Sequence, residues 1–121
     1  MKELLILLFV STLFISVNSF AQNNIDSTEI TSSVPELSKF HDVIYVIWHE
    51  AYPSKDITAL KGMVEKIQAD MENINKAQLP GILKDKAGKW QDGLKVLNAS
   101  AENYYTAAKG PDEQAILDAA E

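Results

Sequence analysis

His41 and His49 are the side chains in this sequence best suited to chemistry, and they stand eight positions apart. Imidazole is the commonest neutral metal ligand and titrates near physiological pH. On a helix, eight steps rotate by about 80° and rise by about 12 Å. Two ligands to one ion need a spacing of three or four, so this pair serves two sites or none. His41 falls beside Leu37, Ile44 and Trp48 within an apolar stripe. There it is either a ligand to a metal ion or haem held between helices, or a core histidine bonded to a neighbouring helix. His49 falls at the stripe's edge near Tyr45 and Tyr52, as a second metal ligand or an interfacial residue. Met63 and Met71 are soft donors that suit Cu(I). Met71 lies in a helical seam, where a flexible thioether also fills core gaps. The candidate set is therefore His41 and His49 for a transition metal, and His41 with Met71 for a larger cofactor such as haem. Asp42, Glu50, Tyr52, Tyr104 and Tyr105 could add polar groups at one end of such a site.

Other chemistries lack their residues. The sequence has no nucleophile elbow, no glycine-rich phosphate loop and no His-Glu-x-x-His. The Glu-x-x-His pairs of carboxylate di-iron bundles are also missing. The reading is a non-enzymatic protein. Asn98-Ala99-Ser100 matches a glycosylation sequon but falls in mid-helix, and is taken as coincidence.

The elements that would position these residues are helices. Ile57, Leu60, Val64, Ile67, Met71 and Ile74 recur at alternating steps of three and four. Leu83, Ala87, Trp90, Leu94, Leu97, Ala101, Tyr104 and Ala108 keep the same rhythm. A period near 3.5 gathers each set on one stripe. The expected first helix starts near Pro35, capped by Ser33, and buries Leu37, Phe40, Ile44, Ile47, Trp48 and Ala51. It ends at Tyr52-Pro53, because a residue before proline avoids helical geometry. The second spans roughly 56 to 78, with Ser54 or Asp56 as cap, and Leu79-Pro80-Gly81 breaks it. The third runs from about 82 to Lys109. Gly88 lies on its polar face, as a tolerated exposed glycine or, less simply, as a gap for a cofactor. Gly110-Pro111 ends the third helix and opens a fourth, whose stripe begins with Ile116, Leu117 and Ala120. The architecture is all-α, an antiparallel up-and-down four-helix bundle.

The fourth helix stops at Glu121 in mid-pattern and reads as truncated. It would leave the seam around Phe40, Met71 and Trp90 exposed, and self-association or marginal stability would follow. At the other end, Lys2 and the apolar run Leu4 to Val17 read as a signal peptide cleaved after Ala21. Residues 22–34 read as a flexible polar tail and 35–121 as the helical domain. The location is then periplasmic or secreted, with no membrane contact after cleavage.

Composition narrows the partners. The chain has no cysteine, hence no disulfide and no thiolate metal site. Its eleven basic side chains are all lysine and face seventeen acids, a net charge of −6 that cleavage leaves unchanged. Arginine supplies the fork that grips phosphate and reads guanine. Its absence in an acidic chain argues against nucleic-acid partners and against anionic membrane surfaces.

The signal peptide, four helices of this size and a His-bearing bundle together resemble small exported bundles of the cytochrome c-prime and b-type cytochrome shape. The segment Phe40 to Asp56, FHDVIYVIWHEAYPSKD, is similar to paired-histidine segments of uncharacterised exported proteins. The resemblance implies haem or metal binding. The c-type members attach haem through a Cys-x-x-Cys-His motif that this sequence lacks, so no functional residue transfers to a numbered position. Two functions follow: an exported bundle holding a metal ion or haem through its first helix, or a structural or protein-interaction module with no cofactor.

Overall fold

Prolines and glycines divide the domain. The computed structural model describes residues 31–121. The signal peptide expected over 1–21 and most of the tail expected over 22–34 lie outside the described residues. Helix α1 covers Pro35–Val46 and passes into a π-helical turn, Ile47–Ala51. Helix α2 covers Ile57–Gly62 and α3 Val64–Lys76; a 3-10 turn over Gly81–Lys86 leads into α4, Ala87–Lys109, and α5 covers Glu113–Ala120. Met63, between α2 and α3, keeps right-handed helical dihedrals. The two segments therefore count as one interrupted helix, and the domain has four helices. No strand occurs among the described residues.

Most breakers act as expected. Asp56 caps α2 by accepting a hydrogen bond from the Ala59 amide at 2.9 Å. Asp112 caps α5 by accepting from the Gln114 amide at 3.0 Å, so Pro111 precedes that helix and does not open it. Two expectations for α1 are corrected. Its N-cap is Val34, and no side chain caps it; Ser33 does not reach the helix, and Pro35 at the first position has no amide hydrogen to satisfy. Its far end does fall at Tyr52-Pro53, but not because the residue before proline leaves helical geometry. Tyr52 keeps helical dihedrals, and its amide donates to the Ile47 carbonyl at 2.8 Å, a five-residue step. Pro53 has no amide to continue the ladder. The Ser54 hydroxyl instead donates to the carbonyls of Glu50, at 2.6 Å, and Ala51, at 3.2 Å. Lys55 closes the turn in the left-handed region, φ 52°.

The core is continuous. Phe40, Val43, Ile47, Leu60, Ile74 and Ile116 are all buried in it. The α1 stripe is rotated from its expected position: Val43 is buried, whereas Leu37 and Trp48 are 42% and 48% exposed. A second correction concerns the seam around Phe40, Met71 and Trp90. Phe40 and Met71 are buried and Trp90 is partly buried, because α3 packs against both α1 and α4 and covers them.

Cross-links fix the levels of the helices. The buried Tyr104 hydroxyl donates to the Leu60 carbonyl at 2.6 Å. Asn75 and Asn98 exchange amide hydrogen bonds of 2.9 and 2.8 Å. The Lys61 ammonium donates to the Gly110 carbonyl at 3.0 Å, just past the end of α4. Gly93, inside α4, is exposed, and a methyl group there would meet nothing within 4 Å. Gly93→Ala is accordingly expected to stabilise the fold by about 0.5–1 kcal/mol, through the unfolded chain's entropy. Thermal melting checks it, and an unchanged or lower Tm would contradict the open setting of this glycine.

Candidate functional site

A broad concavity lies between α1 and α4, which each pack against α3 and other elements. Toward the start of both helices it is a cavity of about 740 Å³ with Leu37, Phe40, His41 and Ile44 on one wall and Leu83 and Trp90 on the other. Farther along, a cavity of about 320 Å³ lies between Ile44 and Trp48 of α1 and Leu97 and Ala101 of α4, and ends against Ala120 and Glu121. Phe40 and Ile44 line both spaces, which adjoin along α1 and are together termed the groove. Ile67 of α3 contributes to its floor. A smaller space shared by Leu37, Trp90 and Leu97 connects the two walls.

The local sequence explains why this wall is apolar yet open. Helix α1 carries apolar side chains over a wide arc. Phe40, Val43 and Ile47 are buried, while Leu37 and Trp48 of the same arc stay exposed. Trp48 lies in the π-helical turn, where the five-residue step widens the helix. Such turns often mark functional sites.

The structure separates the sequence candidates. His41 lines the groove but is exposed, so the expected core position is corrected: the phase that buries Val43 turns position 41 outward. His49 is also exposed, and its ring packs on Tyr45 with centroids 4.3 Å apart. The neighbour Tyr45 is the one the stripe-edge position leads to, and His49 stays apart from Leu60, Tyr104 and Ile116. Those residues close on one another instead, in a buried cluster without it. Met71 is buried in the core and is not among the groove-lining residues. His41, His49 and Met71 therefore occupy three different environments. Among the described residues, no group of three or more His, Asp or Glu side chains is placed to hold a metal ion. No described helix is long and apolar enough to cross a membrane.

Four groove residues escaped the sequence reading as binding candidates. Trp48 and Leu37 were assigned to the core. Lys86 and Lys89, which line the groove beside Trp90, belong to no sequence motif. The signal that could have found Leu37 and Trp48 is the α1 arc itself, which holds more apolar residues than one neighbouring helix can cover.

Among aromatic pairs, Trp48 and Tyr52 stack with centroids 6.4 Å apart, extending the ring-lined surface beyond the groove. Tyr104 is the titratable group most altered by the fold: burial pushes its phenol up to about 12. Burial also raises Tyr105, with help from the nearby Glu102 carboxylate. The Tyr104 hydroxyl is committed to the Leu60 carbonyl. Comparison with protein-family models, curated proteins and solved structures finds no match.

Proposed function

We propose that this chain is a non-enzymatic helical interaction module, and that its binding surface is the groove between α1 and α4. The observation that carries the reading is the exposure of Leu37 and Trp48 on the walls of two adjoining, mostly apolar cavities. A groove walled by two helices has the form that takes an amphipathic helix on its apolar face. Trp is the side chain most often found as an interface anchor. The fold supporting the groove is an antiparallel up-and-down bundle. The Leu60–Tyr104 and Asn75–Asn98 pairings, which run in opposite chain order, support that topology. The sequence reading of 1–21 as an export signal places the module in the periplasm or outside the cell.

The test is titration with a synthetic amphipathic helical peptide carrying an uncharged first and last turn, followed by calorimetry. Leu37→Glu with Trp48→Glu is expected to leave the melting temperature within a few degrees, since both positions are exposed. The same double substitution should weaken peptide binding by about 2 kcal/mol or more. Failure of the peptide to bind the unsubstituted chain would set the interaction reading aside.

A second reading rests on His41. Its imidazole stands on the groove wall, in the same cavity as Lys86 and Lys89. A cavity of about 740 Å³ falls within the usual range of roughly 300–1,000 Å³ for small-ligand sites. A haem-like ring would find one nitrogen ligand there, an apolar bed and two cations for its carboxylates. Such a group would supply redox or gas-binding chemistry. The chain's own part would be to ligate through His41 and shield one face with Leu37 and Trp90. Hemin titration followed by Soret absorbance tests it: His41→Ala should abolish binding and His49→Ala should not. Equal spectra in both variants would leave His41 without a ligand role.

A further inference from the structure

The second helix is interrupted between Gly62 and Val64, and its own sequence supplies no cause. Residues 57–76 contain no proline, and their apolar stripe of Ile57, Leu60, Val64, Ile67, Met71 and Ile74 keeps its period through the break. Gly62 does not force it either. Its φ is not positive, and a methyl group added there would meet nothing within 4 Å. In a helix without proline, such an irregularity commonly arises where a side chain enters the backbone ladder.

Tyr104 is such a side chain. Its buried hydroxyl reaches from α4 and donates to the Leu60 carbonyl at 2.6 Å. In a regular helix that carbonyl takes the amide four residues on, that of Val64. Here its backbone donor is the Met63 amide, three residues on, at 3.2 Å. The regular ladder resumes at once, with the Ile67 amide donating to the Met63 carbonyl at 2.9 Å. The two segments serve different neighbours: α2 packs against the π-helical turn and α5, and α3 against α1. We propose that the Tyr104 hydroxyl is a latch that holds the second helix in two segments. While it occupies the Leu60 carbonyl, α2 keeps its own seat on the π-helical turn and α5. When it is withdrawn, the Val64 amide takes the carbonyl and residues 57–76 join into one continuous helix. Joining draws α2 from that seat, so the unlatched chain is the less stable one.

The test is nuclear magnetic resonance on the full chain, labelled with carbon and nitrogen isotopes. Scalar coupling across a hydrogen bond identifies each amide's acceptor. In the unsubstituted chain the Ile67 amide should couple to the Met63 carbonyl, and the Val64 amide should not couple to the Leu60 carbonyl. Tyr104→Phe keeps the ring and removes only the hydroxyl. It should bring in the Val64–Leu60 coupling and slow deuterium exchange of the Val64 amide by about tenfold. Gly62→Ala should leave both readouts as they are in the unsubstituted chain. Tyr104→Phe is read in the Gly93→Ala background as well, which offsets part of the stability that the lost hydrogen bond costs. A Val64–Leu60 coupling already present in the unsubstituted chain would overturn the latch. So would its absence from both Tyr104→Phe chains. Its appearance in Gly62→Ala would assign the break to the glycine and overturn the proposal.

Discussion

Leu60→Ala is expected to lower the free energy of unfolding by about 3–5 kcal/mol. Leu60 is fully buried. It belongs to α2, which packs against the π-helical turn, α3, α4 and α5. Truncation there opens a cavity where several elements meet, and the Tyr104 bond to the Leu60 carbonyl hinders collapse of the surroundings. A domain of this size has only about 5–15 kcal/mol of net stability, so the variant loses a large share of it. Urea denaturation measures the change. Leu37→Ala is the matched control, because 42% of Leu37 is already exposed, and it should lose less than about 1 kcal/mol. Similar losses in the two variants would mean that Leu60 is not the centre of the core.

The second large effect belongs to Tyr104. Tyr104→Phe removes the 2.6 Å hydrogen bond to the Leu60 carbonyl, which keeps only a longer bond of 3.2 Å from the Met63 amide. A loss of about 1–2 kcal/mol at neutral pH follows from weakening the satisfaction of a buried acceptor. The pH dependence gives an independent readout. In the unfolded chain the phenol ionises near its ordinary value of 10, and in the fold burial raises it to about 12. Below pH 10 the phenol is neutral in both states and its contribution is fully present. Between pH 10 and 12 the unfolded chain releases a proton that the folded chain retains, so stability falls as pH rises. Tyr104→Phe should therefore flatten this alkaline limb. Tyr105, also raised by burial and Glu102, preserves part of the slope. An identical limb in the variant would show that Tyr104 ionises freely in the fold.

The candidate site was less legible in the sequence than the helices around it. His41 stood out by residue type, and it does line the groove. Its exposure was not foreseen, nor was that of His49. On a helix with apolar residues at positions 37, 40, 43, 44, 47, 48 and 51, the apolar arc is wider than one contact face. Spacing alone cannot choose which part of that arc is buried. The choice of Phe40, Val43 and Ile47 over Leu37 and Trp48 turned both histidines outward. Met71 was expected in its seam, as ligand or as core filler, and it is buried there.

The sequence by itself determined the helical character of the domain, the break at 79–81 and the choice of Ser54 or Asp56 as the cap of the second helix, of which the structure uses Asp56. Each depends on neighbours a few residues away: the period of apolar side chains, the missing amide of proline, and a short carboxylate within reach of free amides. Only the tertiary structure decided the phase of α1, the Tyr104 bond to Leu60, the Asn75–Asn98 exchange and the groove between α1 and α4. These depend on residues tens of positions apart in the chain, and on α1 and α4 both packing against α3. Burial is set by the neighbouring helix as much as by the stripe, so one helix's sequence states what it can bury, and the assembled core selects what it does bury.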